Sequence, residues 1–175
     1  MSASCVRRRD CRLCGGTSLT LVLSLAPTPP ANAFVQESEL ANEQEAFPLD
    51  VFFCEDCAHV QLLDVVDPKV LFEHYVYVSG TSPVFVKHFE DYARHVLDTY
   101  RPPRDGLVAD IGSNDGTLLK FFKDAGMRVL GIDPAKEIAA TANEQGIPTL
   151  AEFFTAALAA EIKQQQGPAS AMLLG

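Results

Sequence analysis

Leu107-Val-Ala-Asp-Ile-Gly-Ser-Asn-Asp-Gly116 is the segment around which this chain is organised. Its first five residues form a short apolar run typical of a buried parallel strand. Gly112, Asn114 and Gly116 then predict a tight turn, because glycine adopts left-handed backbone conformations freely and asparagine tolerates them better than most residues. The apolar pattern from Leu118 to Ala125 predicts a helix. Strand, glycine-bearing turn and helix in this order begin a nucleotide-binding βαβ unit.

A second strand is predicted from Arg128 to Ile132, and Asp133 follows it directly. An acidic residue at the end of the second strand can accept hydrogen bonds from both hydroxyl groups of a ribose. A helix opened by Pro134, a strand at Ile147–Leu150 and a strand at Ala171–Leu174 continue the α/β pattern. The competing interpretation is an ordinary βαβ turn that holds no ligand.

The length and charge of the chain limit its partners. It has 175 residues, enough for one large domain or two small ones, and a formal net charge of −9. Nucleic acid and anionic membrane surfaces both need a positive protein face, so the charge predicts neither as a partner. No apolar run approaches the ~20 residues of a membrane-spanning helix. The sequence does not set the oligomeric state.

The cysteines predict a metal site. Four of the five lie in two CxxC pairs, Cys11 with Cys14 and Cys54 with Cys57. Two residues between ligands let one turn present both sulfurs to a tetrahedral Zn²⁺, and four thiolates leave no open position, so the predicted zinc is structural. The alternatives are two redox-active CxxC motifs or four buried cysteines. The pattern does not fit a secreted disulfide framework and predicts a reducing compartment, the cytoplasm. Cys5 is predicted to lie in a frayed tail.

A third segment with candidate chemistry lies between the cysteine pairs and the glycine turn. Tyr75 and Tyr77 alternate with valines, so both rings can face one side of an extended stretch. Ser79 adds a hydroxyl group beside a glycine, and such groups can line a pocket. The alternative is a half-buried strand that ends in a helix cap. Ser82 and Pro83 predict the N-cap and first turn of an amphipathic helix.

Taken together, these motifs resemble the N-terminal half of the nucleotide-sugar C-methyltransferases of deoxysugar biosynthesis. In that family a small zinc domain precedes a class I methyltransferase domain that uses S-adenosylmethionine. The matching motifs, in family order, are Cys11-Arg-Leu-Cys14, Pro30-Ala-Asn-Ala-Phe34, Pro48-Leu49, Phe53-Cys-Glu-Asp-Cys-Ala-His-Val-Gln61, Tyr75-Val-Tyr-Val-Ser79, Asp110-Ile-Gly-Ser-Asn-Asp-Gly116, Gly131-Ile-Asp-Pro134 and Gly146-Ile-Pro-Thr149.

The predicted fold class is therefore α/β, with a small β-rich zinc-binding domain followed by a truncated Rossmann-like parallel sheet. The predicted domains are a zinc-binding domain at residues 1–66, a helical linker with the tyrosines at 67–103 and a partial cofactor domain at 104–175. A class I sheet has seven strands, and this sequence supplies about four. The segment with the family's candidate histidine base is also missing. The chain is thus expected to be a fragment or truncated product that binds zinc without turnover.

The resemblance implies methylation of a TDP-linked 4-keto-6-deoxyhexose, a nucleotide sugar, at the carbon beside its ketone. Tyr75, Tyr77 and Ser79 would face the reacting centre, where a tyrosine hydroxyl can stabilise an oxyanion. Asp133 would hold the cofactor ribose, and Asp110 would order the turn or meet the methionine amine. The other implied cofactor residues are Gly112, Ser113, Asn114, Gly116 and Pro134.

Two other hypotheses stay open. One is a non-enzymatic module, stabilised by zinc, that binds a protein or a sugar nucleotide. The other is an NAD-type dinucleotide binder, because Asp133 suits the ribose of NAD equally well. Asp115 argues against the second hypothesis, because its negative charge would lie beside a pyrophosphate.

Overall fold

A computed structural model describes residues 4–174 of the chain. These residues form two compact units, which are divided in sequence between Leu71 and Phe72. Among the described residues, no helix is both long enough and apolar enough to cross a membrane. The three-part division predicted from the sequence stays a prediction.

The first unit is β-rich. Its strands form a two-stranded antiparallel sheet in the order β1-β5 and a three-stranded antiparallel sheet in the order β2-β3-β4. A single 3-10 turn, Glu37–Glu39, lies in the long connection between β2 and β3. The strands are β1 (Cys5–Arg7), β2 (Leu19–Thr28), β3 (Phe47–Cys54), β4 (Val60–Leu62) and β5 (Asp64–Val66).

The prediction of a frayed tail is wrong for the start of the described chain. Cys5 is buried and pairs with Val66, about sixty residues away in sequence. The Arg7 guanidinium holds the same strand in place through the carboxylates of Asp64 and Asp50. A local sequence pattern cannot reveal a three-residue strand whose partner is this remote.

The second unit is a four-stranded parallel sheet with helices. The sheet has the order β8-β7-β6-β9. The elements, starting from the helix that contains the boundary, are α1 (Pro68–Phe72), α2 (Pro83–Tyr100), β6 (Leu107–Ile111), α3 (Thr117–Asp124), β7 (Arg128–Ile132), α4 (Lys136–Glu144), β8 (Thr149–Leu150), α5 (Ala156–Gln166) and β9 (Ala171–Leu174).

The central strand β6 is buried on both faces, which explains why four of its five residues are apolar. Val108 packs on one face, in a cluster that includes Leu119 and Phe122 of α3. Leu107 and Ala109 pack on the other face, in a cluster that includes Leu158 of α5. The chain runs outward from β6 through β7 to β8 and then returns to the far side of β6 for β9. The carboxyl end of β6 is therefore at a topological switch point, where open parallel sheets bind ligands.

The predicted strands at β6, β7 and β9 have the bounds that the sequence indicated, whereas two neighbouring elements are shorter. The helix expected from Pro134 begins at Lys136. The strand expected from Ile147 begins at Thr149, because the Ile147 amide instead donates to Ala142 O at 2.9 Å and closes the end of α4. The predicted fold class, a β-rich part with four cysteines followed by an α/β parallel sheet, is confirmed.

Candidate functional site

The two CxxC pairs of the first unit lie in matching turns. The first knuckle (residues 11–16) connects β1 with β2, and the second knuckle (residues 54–59) connects β3 with β4. In each knuckle the amide of the first cysteine donates to the carbonyl five residues later, at 2.8 Å in the first and 2.9 Å in the second. The Gly16 amide donates to Cys14 Sγ at 3.4 Å, as expected of a glycine that follows a ligand pair.

The knuckles bring the four predicted cysteine ligands together. All four Sγ atoms lie within 4.8 Å of one another, and the cluster includes no oxygen or nitrogen ligand. The distance is 3.7 Å for both Cys11–Cys57 and Cys14–Cys54. Zinc–sulfur bonds of about 2.3 Å in a tetrahedron put sulfurs about 3.8 Å apart, so this donor set fits Zn²⁺. Four thiolate ligands would close the coordination sphere, which gives the zinc a structural role.

The thiols of the cluster differ in acidity. A hydrogen bond from the Cys14 amide lowers the pKa of Cys11 to about 6, despite its burial. The His59 amide also lowers the pKa of Cys57, but burial and the three neighbouring thiols outweigh it and raise that pKa to about 12. Four sulfurs this close cannot all be charged unless a cation compensates them. A bound divalent metal supplies that compensation and deprotonates its thiol ligands.

Gln61 on β4 supports the first knuckle, a role that the cysteine spacing did not reveal. Its side chain is buried, and its Oε1 accepts a hydrogen bond from the Arg12 amide at 3.0 Å. Its Nε2 is buried and has no hydrogen-bond partner among the residues that the structure describes. The signal in the sequence is a glutamine between two apolar residues, four positions after Cys57.

In the second unit, the glycine turn (residues 112–116) follows β6. The φ angles of Gly112, Asn114 and Gly116 are 80°, 50° and 76°, so left-handed residues alternate as the sequence predicted. The Gly112 amide donates to Ile132 O at 2.8 Å, which holds the turn over the carboxyl end of β7. A Cβ at residue 116 would lie 2.8 Å from Ile147 Cγ2, so only glycine fits there without displacement.

Buried polar side chains lie in and beside this turn. Asp133 accepts hydrogen bonds of 2.8 Å from the amides of Asn114 and Ala135, one on each carboxylate oxygen. Each oxygen keeps a second lone pair for another donor. Asp110 Oδ1 and Ser113 Oγ are buried without a partner in the described part of the chain. Burial, together with the charge of Asp133, raises the pKa of Asp110 to about 7.

The tyrosine segment (residues 72–82) is bonded to the same turn. It is not a strand: residues 75–78 have no regular structure, and a 3-10 turn follows at Ser79–Thr81. Tyr75 is half-buried with its ring centroid 6.4 Å from that of Phe72, and Tyr77 is exposed. The Ser79 amide donates to Asn114 Oδ1 at 2.9 Å. Ser82 caps α2 as predicted, since its Oγ accepts from the Phe85 amide.

Two more residues at this site are Asp115, within the turn, and Pro134, directly after Asp133. Asp115 is buried, and its Oδ1 accepts a hydrogen bond from the Thr117 amide at 3.2 Å, at the start of α3. A carboxylate thus occupies the helix start that a phosphate would need. Pro134 lies between Asp133 and the start of α4. The structure brings the predicted cofactor residues together around one turn and adds Asp115 to them.

Comparisons with known proteins show what the chain is similar to. Residues 11–72 match a family described as "Putative zinc binding domain". The chain is 35% identical over 158 residues to C-methyltransferase NovU of Streptomyces niveus; the match covers 90% of this chain and 38% of that protein. Solved structures of the plantazolicin methyltransferase BpumL with SAH match 41% of this chain and 30% of theirs, at 19% identity and a TM-score of 0.31. The predicted resemblance to a zinc-binding domain and to a C-methyltransferase is confirmed.

Proposed function

We propose that this chain, which is 35% identical to a C-methyltransferase and matches a zinc-binding domain family at residues 11–72, binds S-adenosylmethionine at its glycine turn and contributes to the methylation of a nucleotide sugar. The chain spans 38% of the length of its curated relative, so the activity, the substrate and the division into domains are all part of the proposal. One observation carries it: within the described residues, Asp110 Oδ1 and Ser113 Oγ are buried without partners at the sheet's switch point, beside the Asn114 side chain that is hydrogen-bonded to the tyrosine segment.

The proposed cofactor contacts follow from the chemistry of the turn. Asp133 would accept hydrogen bonds from the ribose hydroxyls through its remaining lone pairs. Asp110 would face the methionine amine, because a cation relieves the repulsion between two neighbouring buried carboxylates. The backbone around Gly112, Ser113, Asn114 and Gly116 would pack against the cofactor, with Pro134 beyond the ribose.

The same turn favours S-adenosylmethionine over NAD. A dinucleotide places a pyrophosphate at the first helix start, where free amides stabilise its charge. Here the Thr117 amide already donates to the buried carboxylate of Asp115, so a phosphate would meet a negative charge. The methionine part of the proposed cofactor has an amine and a sulfonium group, and both positive charges suit this site.

Methyl transfer needs a stabilised anion on the sugar and an electrophilic methyl group. When bound, the cofactor supplies the methyl group on its sulfonium centre. Tyr75 and Tyr77, with Ser79, are the groups proposed to face the sugar, where a hydroxyl can donate a hydrogen bond to the oxygen that becomes negative. The structural zinc would keep the first unit folded without a role in this chemistry, in a reducing, cytoplasmic setting that leaves the four thiols unoxidised.

Calorimetric titration of the purified chain with S-adenosylmethionine, S-adenosylhomocysteine (SAH) and NAD tests the proposal. We expect both adenosyl ligands to bind and NAD to bind at least tenfold more weakly. Asp133→Asn should weaken SAH binding tenfold or more, because the carboxylate would lose its charge-assisted hydrogen bonds to the ribose. Glu137→Gln is the matched control: it removes the same charge from an exposed position on α4 and should change SAH affinity less than twofold.

Tighter binding of NAD than of SAH would contradict the proposal and favour the dinucleotide binder. No binding of any of the three would favour the non-enzymatic module.

A further inference from the structure

Three hydrogen bonds join the tyrosine segment to side chains of the glycine turn. The Ser79 amide donates to Asn114 Oδ1 at 2.9 Å, and Asn114 Nδ2 donates to Tyr77 O at 2.8 Å. The Gly80 amide donates to Asp115 Oδ2 at 2.9 Å. The two partners are 35 to 37 residues apart in sequence, so these bonds are tertiary contacts rather than part of a local turn.

Asn114 links the segment to the proposed ribose site. Its φ of 50° is left-handed, and its amide donates to Asp133 Oδ2 at 2.8 Å. Its side chain uses both polar atoms on the tyrosine segment. The backbone amide of Asn114 is therefore hydrogen-bonded to the Asp133 carboxylate, and its side chain is hydrogen-bonded to the backbone of the tyrosine segment.

Asp115 and Gly80 form the second link. A Cβ at residue 80 would lie 2.5 Å from Asp115 Oδ2 and 2.7 Å from Thr117 Oγ1, so the segment approaches the turn as closely as glycine allows. Asp115 is 6% exposed and also accepts from the Thr117 amide. Its carboxylate thus holds the helix start and the tyrosine segment together.

A third attachment lies nearer the start of the segment. The Glu73 carboxylate pairs with the ammonium group of Lys136, the first residue of α4. The tyrosines therefore lie between two attachments of the segment. One is the ion pair with Lys136 of α4, and the other is the set of hydrogen bonds to the glycine turn. A ligand held between these two loops would restrict both ends of the segment.

We propose that Asn114 and Asp115 are positioning residues that hold Tyr75 and Tyr77 against the cofactor turn, so that a ligand bound at the turn also orders the tyrosine segment. The second part rests on the proposed function. Because linkage is reciprocal, a cofactor that stabilises the turn must also favour the conformation in which the segment is bonded to it. The cofactor would then organise the side of the site that receives the sugar.

Hydrogen exchange of the full chain without ligand tests the first part. Asn114→Gly keeps the left-handed backbone but removes two of the three bonds, and we expect amides in residues 72–82 to exchange about tenfold faster. Gly80→Ala should separate the segment from Asp115 with a similar effect. Asn32→Gly is the matched control, since Asn32 is also left-handed, at φ 63°, but lies in the first unit. Amides of β6 and β7 report whether each variant is folded.

Saturating SAH tests the coupling. In the wild-type chain, SAH should slow exchange at least threefold in residues 72–82 as well as in residues 128–135. Gly80→Ala should bind SAH with an affinity within about threefold of the wild type, and SAH should still slow exchange in residues 128–135. In this variant SAH should no longer slow exchange in residues 72–82. If Gly80 only stabilised the fold, its substitution would change the SAH-induced protection of residues 72–82 and of residues 128–135 together.

The positioning role would be overturned if the amides of residues 72–82 exchange at the wild-type rate in folded Asn114→Gly and Gly80→Ala chains. Protection of residues 128–135 alone, with no slowing in the segment, would overturn the coupling. Failure of SAH to bind at all would overturn the proposed function and the coupling, while the ligand-free comparison would still decide the positioning role.

Discussion

Gly15 and Ala58 occupy the same position in the two knuckles, four residues after the first cysteine. Both are left-handed, with φ of 76° and 61°, and both amides donate to the carbonyl of that cysteine, at 3.0 Å and 2.8 Å. A left-handed conformation costs alanine about 1 kcal/mol, and glycine adopts it without that cost. A Cβ at residue 15 would meet no atom within 4 Å, so a substitution there tests the backbone alone.

We therefore expect opposite effects from the two exchanges. Ala58→Gly should raise the free energy of unfolding of the zinc-saturated first unit by about 0.5–1 kcal/mol, and Gly15→Ala should lower it by about 1 kcal/mol. Urea denaturation of the two variants and the wild type at equal zinc concentration is the measurement. Destabilisation by both exchanges would show that the second knuckle is not strained at Ala58.

Asp110 should make stability depend on pH. Its pKa is raised from 3.8 to about 7 in the fold, so between these values the folded chain binds a proton that the unfolded chain has released. Below about pH 4 the ionisation of Asp110 therefore does not reduce the free energy of unfolding. As pH rises toward 7, the free energy of unfolding falls by at most about 1.4 kcal/mol per pH unit. Asp110→Asn cannot ionise and removes this dependence.

The expected result is that the stability of Asp110→Asn relative to the wild type rises by about 3 kcal/mol at most between pH 4.5 and pH 8. Urea denaturation of both chains without ligand, at pH values from 4.5 to 8, gives the difference. Comparing two chains at each pH cancels the titration of the zinc ligands. Parallel stability curves for the two chains would show that Asp110 ionises normally in the fold.

Among the secondary-structure elements, the strands β6, β7 and β9 were predicted with their observed bounds. Each is a run of four or five mostly apolar residues that fits the strand–helix alternation of an α/β fold, although in β9 only Leu173 is buried. The short strands β1 and β5 were missed, because Cys5 and Val66 carry no local periodicity and find each other only in the folded chain. The start of β8 was misplaced because the closure of α4 uses the Ile147 amide.

Arg7 is the side chain that holds the missed strand. Its guanidinium lies 2.6 Å from Asp64 and 2.9 Å from Asp50, and 5.7 Å from the centre of the Phe52 ring. Asp64 has a side chain that is only 6% exposed, so the loss of Arg7 would leave a nearly buried carboxylate without its cation. Arg7 itself is 40% exposed, which limits the strength of the pair through solvent screening.

We expect Arg7→Ala to lower the free energy of unfolding of the first unit by about 1–2 kcal/mol and to speed hydrogen exchange in β1 and β5. Arg7→Lys should keep part of this stability, because it retains the charge but not the two-pronged geometry. Arg9→Ala is the control, since it removes the same side chain two residues later. If Arg9→Ala lowered the free energy of unfolding as much as Arg7→Ala, the loss would be due to the change in net charge and not to the contacts of Arg7.

At the scale of the whole molecule, the two sites differ in how much the sequence revealed. The spacing of the four cysteines identified the metal cluster, because ligand geometry restricts that spacing directly. The glycine turn with Asp133 was a less specific signal, because a βαβ turn can have the same pattern without binding a ligand. The roles of Asp115 and Gly80 were not, since they depend on contact between segments 35 residues apart. Asp110 Oδ1, which has no hydrogen-bond partner among the described residues, likewise depends on packing that no single stretch of sequence encodes.

The division into two units predicts separate responses to metal removal. All four sulfurs of the cluster belong to the first unit, whereas the second unit has its own buried clusters on the two faces of β6. Structural zinc contributes about 10 kcal/mol or more to the folding of small zinc domains. Chelation at pH 7 should therefore release one zinc per chain and abolish protected amides in β2 to β4, while amides of β6 and β7 stay protected and SAH affinity stays within about threefold.

Cys57→Ala should reproduce the effect of the chelator, and Cys5→Ala should retain one zinc, because Cys5 is not part of the cluster. Hydrogen exchange and metal analysis of the same samples give both readouts. Loss of protection in β6 and β7 together with the first unit would mean that the parallel sheet needs the metal to fold. Unchanged protection in β2 to β4 after zinc release would mean that the knuckles hold without it, because the small antiparallel sheets then suffice to keep the four sulfurs in place.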